Sequence, residues 1–328
     1  MGESLHRYID IKLHHLIEQG EYCRIYVCGR HDRMHSLISN CEKNDKLINW
    51  QRPTAKRNGT SLVVACFPGR DYVQHYASLI ATHLALSRKN PNVVTYELPA
   101  QEATVQALLG QGLNEVPLSP TIIIGKIEHS LQVVGTRSWS ESAGYIWATN
   151  NDMRASLLGC KFSFWGDICG VLTKLLYKRG VRRMLFLGKL GSLRGKHEPN
   201  STLTTGDTTV LQGRQVKWKN DLEKHVRASD KVITGRHITV PSVIHETKKW
   251  LRHHSDYDFV DPEIGHMARA ASKSGMKFAY LHIVSDNLAR KYDEDLSNER
   301  IANVLRKREV IQERINKICR RWLAIDYE

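Results

Sequence analysis

Long hydrophobic runs are missing from this chain: no stretch approaches the roughly 18 to 20 apolar residues that cross a bilayer. The segment Met1 to Tyr22 reads as an amphipathic helix with no unbroken apolar core and no small-residue cleavage site, so a secretory signal is not expected. Cysteine is sparse and scattered. The seven cysteines (Cys23, Cys28, Cys41, Cys66, Cys160, Cys169, Cys319) are odd in number and form no Cys-x-x-Cys pair. That argues against a disulfide framework and against a cysteine zinc site, and makes a reducing cytosol the expected compartment. Internal repeats and low-complexity segments are absent. With 41% hydrophobic and 25% charged residues, global disorder and a collagen-like or coiled-coil rod are excluded. Acid is the charge in short supply, 34 Asp+Glu against 48 Lys+Arg, for a formal net charge of +14. A basic surface attracts nucleic acid, anionic lipid or phosphorylated small molecules, and charge alone does not choose among them. Solvated Lys and Arg on helix faces are the plain alternative.

Several catalytic signatures are also lacking. There is no Gly-x-Ser-x-Gly elbow and no Walker loop. His31-Asp-Arg-Met-His35 places two imidazoles one helical turn apart, but no Glu follows the first His and no third ligand is evident, so no metal is expected there. Gly110-Gln-Gly112 is too short for a dinucleotide fingerprint and reads as a helix C-cap. His14-His15 and His253-His254 read as surface or capping residues.

The 328 residues suffice for one large α/β domain, or for two of about 150 residues each. Short apolar strands alternate with helices. Strands are expected at 24–28, 61–66, 93–98, 121–125, 183–187 and 278–284, with helices at 71–88, 101–110, 168–179 and 262–274. A hairpin is expected around Asn150-Asn151-Asp152, and further strands near Val210, Val216 and 231–234. A long helix from about Ser297 to Leu323 closes the chain, with Ile301, Val304, Ile311, Ile315, Ile318 and Trp322 on one stripe. The pattern argues an α/β fold with a largely parallel sheet.

In such sheets ligands gather beyond the carboxyl ends of strands. Two strand ends stand out. Leu187-Gly-Lys-Leu-Gly-Ser-Leu193 carries two glycines that let backbone N–H groups approach an anion, with Lys189 adding charge. Ile283-Val-Ser-Asp286, followed by Asn287, puts an acid just past a buried strand, where it meets a ligand or caps the next segment. Between them lie Leu203-Thr-Thr-Gly-Asp207 and Asp261-Pro-Glu263, the latter opening a helix with Ala268, Ala270 and Ala271; Ser297-Asn-Glu-Arg300 comes last. Over about residues 160–328 this order resembles the nucleoside phosphorylase superfamily: purine nucleoside and uridine phosphorylases, methylthioadenosine-type nucleosidases and AMP nucleosidases.

The resemblance implies a mixed central sheet flanked by helices and cleavage or transfer at the N-glycosidic bond of a nucleoside or nucleotide, a purine one above all. Glu263 matches the family acid that holds the ribose 2′ and 3′ hydroxyls, and two carboxyl oxygens suit two adjacent hydroxyls. Asp286 matches the acid that delivers a proton or hydrogen bond to the purine N7, and the transition state would be oxocarbenium-like. Ser285, Gly188, Lys189, Gly191, Ser192 and Asn287 would surround the substrate. No metal or organic cofactor is implied, with phosphate as the potential co-substrate; homo-oligomers are common in the family.

There are departures. Pro262 stands where the family has Met, Phe186 where phosphorylases carry a phosphate-binding Arg, and Lys189 where they carry Ser or Thr. Phe162-Ser-Phe-Trp-Gly-Asp167 replaces a Gly-x-Gly turn. Either Lys189 meets the anion, or water is the nucleophile, or the substrate brings its own phosphate. Thr121–Gly125 reads as the first strand of the phosphorylase-like domain, 120–328, and residues 1–115 as an added α/β segment. Arg70, in Phe67-Pro-Gly-Arg70, and Arg137 are candidate phosphate contacts; Arg30 and Arg33 share the ambiguity. Trp139 and Trp165 are candidates to stack on a base. Two other classes stay open: an inactive nucleotide sensor, and a basic nucleic-acid-binding protein using Arg306-Lys-Arg308 and Arg320-Arg321.

Overall fold

The computed structural model describes residues 2–324 except 297, 299 and 300. It opens with two short helices, α1 (Gly2–Asp10) and α2 (His15–Glu18), rather than one continuous amphipathic helix. His14 separates them. It is buried rather than on the surface, and its Nδ1 accepts the Leu16 N–H, which starts a new helix.

Strands β1 (Arg24–Cys28), β2 (Thr54–Asn58), β3 (Ser61–Ala65) and β4 (Val94–Glu97) form a four-stranded sheet in the order β2-β3-β1-β4. β1, β3 and β4 are parallel, and β2 runs antiparallel to β3. Helix α3 (Arg70–Leu86) is the crossover between β3 and β4, and α4 (Gln101–Gly110) follows β4. Gly112, at φ +87°, lets the chain leave α4 as the helix C-cap reading expects.

A second, 12-stranded sheet takes the rest of the chain. Its strands are β5 (Thr121–Gly125), β6 (Ser140–Glu141), β7 (Tyr145–Asn150), β8 (Ala155–Cys160), β9 (Arg183–Ser192), β10 (Leu203–Thr204), β11 (Thr208–Leu211), β12 (Arg214–Lys217), β13 (Val232–Ile233), β14 (His237–Thr239), β15 (Phe259–Asp261) and β16 (Lys277–Asn287). Helices α5 (Asp167–Lys178), α6 (Lys248–His253), α7 (Ile264–Ser274) and α8 (Ala302–Leu323) flank it. The sheet is mixed. β8, β5, β9 and β16 are mutually parallel along its centre, while β7 pairs antiparallel with β8 as the expected hairpin.

The central strands are apolar on both faces, and period-two alternation sorts their side chains. Met184, Phe186, Phe278, Tyr280 and Val284 join one buried cluster with α5, α7 and the N-terminal elements. Leu185, Leu187, Ala279, Leu281 and Ile283 join a second cluster under Ile311, Ile315, Ile318 and Trp322 of α8. Of the stripe expected on α8, Ile301 is exposed and precedes the helix, while Ser297, Glu299 and Arg300 of the Ser-Asn-Glu-Arg motif lie outside the described residues.

The two sheets divide between Glu97 and Thr121, yet the first buried cluster spans both. Phe67 stacks on Phe162 with ring centroids 4.0 Å apart. Asp167 accepts the N–H groups of Arg70 and Asp71 at 3.2 and 3.1 Å, and Asp71 accepts that of Asp167 at 3.2 Å. Two helix N-termini thus cap each other. Arg70 is therefore a helix-start residue, exposed, with its backbone bound by Asp167.

Candidate functional site

The Gly188–Ser192 segment is not a turn. Strand β9 continues through it to Ser192. Along one edge β9 pairs with β16 over its whole length. Along the other it pairs with β5 as far as Leu187, and with β15 only from Gly191. Between these partners, at Gly188, Lys189 and Leu190, the sheet opens into a cavity of about 240 Å³. The glycines serve the ladder rather than an anion-binding turn. A Cβ on Gly188 would lie 2.5 Å from His282 Nε2, and one on Gly191 2.7 Å from Leu288 Cδ1.

Opposite them, β16 carries a bulge: Val284 pairs with Leu190 and Asp286 with Gly191, leaving Ser285 without a partner. Such an extra residue re-aims the side chains that follow it. Ser285 and Asp286 both line the cavity, and the Ser285 hydroxyl lies 2.9 Å from Asp286 Oδ1 as donor.

The third wall is the start of α7, where Glu263, Pro262 and Asp261 also face the cavity. Asp261 Oδ2 accepts the N–H groups of Glu263 and Ile264 at 3.1 and 2.8 Å. Its Oδ1 accepts the Thr239 hydroxyl at 3.2 Å and lies 3.2 Å from His237 Nε2. Burial alone would raise the Asp261 pKa, but His237, His282 and the Ile264 N–H reverse it and hold the carboxyl below its ordinary range. Glu263 goes the other way. Burial, then the charge of Asp261 and a hydrogen bond to it, push it well above its ordinary range against the pull of Lys189. The surroundings thus favour the proton on Glu263 and the charge on Asp261.

Two further acids line the cavity. Glu246 follows the turn at 243–245 and is raised well above its ordinary range by burial and by Asp286 and Asp261. Glu128, just beyond β5, has a buried Oε2 with no hydrogen-bond partner and lies 3.9 Å from Lys126 Nζ. Phe164, Trp165, Phe186 and Tyr8 add aromatic surface, and Trp165 is pinned by a stacked His75 at 4.4 Å and by its Nε1 donating to Pro241 O at 3.0 Å.

Of the residues read from the sequence, Glu263, Asp286, Ser285, Gly188, Lys189, Gly191 and Trp165 therefore share one cavity. Ser192 and Asn287 do not line it. Ser192 Oγ bonds His197 Nδ1 at 2.9 Å, and Asn287 Nδ2 donates to Arg194 O and His197 O at 2.7 and 2.8 Å, so both brace the loop after β9. Arg70, Arg137 and Trp139 are also outside the lining. Asp261, Glu246 and Glu128 were not singled out as site residues from the sequence. Asp261 alone left a signal, as the first acid of Asp261-Pro-Glu263. Among the described residues, the one group with metal-like spacing, Asp10, Glu18 and His83 within 4.8 Å, contributes nothing to the cavity. No helix among the described residues is long and apolar enough to cross a membrane.

No family model matches the chain. A curated protein, oxidoreductase cns1 of Cordyceps militaris, is 25% identical over 291 residues, covering 74% of this chain and 34% of that protein. The chain thus spans about a third of the length of the curated relative it matches. Similar solved structures include the 5′-methylthioadenosine/S-adenosyl homocysteine nucleosidase of Campylobacter jejuni, at 16% identity and a TM-score of 0.49 over 62% of this chain and 99% of that one. The purine nucleoside phosphorylase of Toxoplasma gondii, at 13% identity and a TM-score of 0.49, covers 63% of this chain and 92% of its own. The uridine phosphorylase of Vibrio fischeri, at 12% identity and a TM-score of 0.47, covers 63% and 91%. These neighbours are of the nucleoside phosphorylase superfamily.

Proposed function

We propose that the chain cleaves the N-glycosidic bond of a purine nucleoside or nucleotide in this cavity. The observation that carries the reading is the meeting of Glu263, just after β15, and Asp286, on β16, at the opening beside β9. Glu263, whose protonated form is favoured by burial beside Asp261, offers both a donor and an acceptor to vicinal ribose hydroxyls. Asp261 supplies negative charge close to a sugar that turns cationic as the C1′–N bond breaks. The electron pair of that bond passes to the base, and a proton delivered at Asp286 neutralises it. Glu246, whose pKa burial and Asp286 push well above its ordinary range, is a local proton source. Trp165 and Phe164 give the base an apolar wall.

Water fits as the acceptor. Its oxygen bonds C1′ and its proton goes to Glu128, whose Oε2 is buried in the cavity wall without a hydrogen-bond partner. Phe186 adds no charge for a phosphate at the cavity floor. No metal or cofactor enters the reading. The name of the curated relative indicates an oxidoreductase, but the chain spans only about a third of that protein, and that activity is not carried over to this cavity.

The test is base release from purine and pyrimidine nucleosides and nucleotides, with and without inorganic phosphate, read by chromatography. The expected result is free purine from the native chain, unaffected by phosphate, and a loss of about 100-fold or more in kcat/KM in Glu263→Ala and in Asp286→Asn. No base from any substrate despite measurable nucleotide binding would sink the reading and favour a nucleotide sensor.

A further inference from the structure

Three cations reach the cavity from segments that contribute nothing to the 12-stranded sheet. Lys12 lies between α1 and α2, Lys46 in the loop before β2, and Arg308 on α8. All three are half-buried in its lining, unlike lysines that only solubilise a surface. Each is on an anchored segment. The Tyr76 hydroxyl donates to Lys12 O at 2.9 Å, and Lys12 Nζ sits 5.5 Å from the Tyr8 ring centroid. The Asn49 and Trp50 N–H groups donate to Cys160 O and Lys161 O at 2.8 and 3.0 Å, tying the Lys46 loop to the end of β8. Arg308 Nε donates to Asn200 Oδ1 at 2.8 Å, which orients its guanidinium.

The acids of the cavity come from other elements: the turns after β5 and before α6, the β15–α7 junction, and β16. The cavity thus draws its acids and these three cations from different parts of the fold. Hydroxyls suit the acids, and an anion suits the cations. We infer that Lys12, Lys46 and Arg308 bind a phosphate group carried by the substrate, making a nucleotide rather than a nucleoside the preferred ligand; this rests on the glycosidic reading of the same cavity.

The test uses the full chain and a purine C-nucleoside, whose carbon–carbon glycosidic bond resists cleavage, with its 5′-monophosphate and inorganic phosphate as further arms. Equilibrium binding is measured by calorimetry. The expected result is at least about tenfold tighter binding of the monophosphate. That preference should fall to about twofold in the Lys12→Ala/Lys46→Ala variant and largely return in Lys12→Arg/Lys46→Arg, with thermal melting as the folding control. Equal affinity for the two ligands in the native chain, or an undiminished preference in the alanine variant, overturns the inference. So does inorganic phosphate that accelerates base release from nucleosides without any monophosphate preference. Base release from nucleosides without that preference leaves the glycosidic reading standing. Phosphate-selective binding with no base release from any substrate supports the subsite and contradicts the cleavage.

Discussion

Asp261 and Glu263 sit two residues apart on one turn, yet their surroundings drive them to opposite protonation states. His237, Thr239 and two backbone N–H groups stabilise the anion on Asp261. Glu263, buried next to that anion, keeps its proton. The stability this confers is complete below the ordinary carboxyl range and drains away as pH rises toward the raised pKa of Glu263. Thermal melting from about pH 5 upward should therefore show a decline with rising pH that is flatter in Glu263→Gln, which has no proton to lose; parallel declines would contradict the assignment. His282 works in the opposite sense. Burial lowers its pKa from 6.5 to about 4, and neither ring nitrogen has a hydrogen-bond partner. Its neutral form stabilises the fold above pH 6.5, and that contribution is lost as pH falls toward 4. At pH 5 the loss is about 2 kcal/mol. Urea unfolding at pH 7.5 and 5 should show His282→Gln losing about that much less than the native chain on acidification; an equal loss would place the strain elsewhere. Glu263 and Asp286 were legible in the sequence because each adjoins a recognisable strand or helix boundary. The state of Asp261 was not, because His237 and Thr239 come to it from β14, a strand remote in sequence.

At the scale of elements, apolar runs made most central strands visible, and the Asn150-Asn151-Asp152 turn made the hairpin visible. The extension of β9 was not. Gly188 and Gly191 look like a turn locally, and only β15 and β16, which fold beside them from far along the chain, turn the segment into strand. The bulge at Ser285 was hidden for the same reason, since a register shift exists only between two strands. Gly188 is held by contact rather than by conformation. In Gly188→Ala the new Cβ would meet His282 Nε2 at 2.5 Å and Cε1 at 2.8 Å, within the wall of a packed cluster. A destabilisation of about 1–3 kcal/mol is expected from urea unfolding, and an unchanged midpoint would mean that β16 yields freely there. The mutual capping of α3 and α5 is the corresponding joint between helices. Asp71 also bonds His266 Nε2 at 2.8 Å, one turn into α7. Asp71→Ala removes a cap and that bond together, and should lower stability by about 1–2 kcal/mol; a shift in melting temperature reads it.

The whole molecule brings together what composition could only suggest. The +14 charge did not identify an anionic partner, but the fold gathers Lys12, Lys46 and Arg308 at one cavity. The N-terminal segment, whose role the sequence left open, covers the opening in the larger sheet with Tyr8, Lys12, Ile48 and Asn49. Its sheet was readable from its own strands and turns. Its docking was not, because Phe67, Asp71 and His75 meet Phe162, Asp167, His266 and Ser242 only in three dimensions. The central claim is that one cavity holds a nucleoside between Glu263 and Asp286. A crystal structure of the full chain with a purine C-nucleoside tests it most directly. The account predicts the ribose 2′ and 3′ hydroxyls within hydrogen-bond distance of the Glu263 carboxyl and the imidazole edge of the base at Asp286. A ligand bound elsewhere on the chain, or in the cavity with its sugar turned away from Glu263, would contradict it.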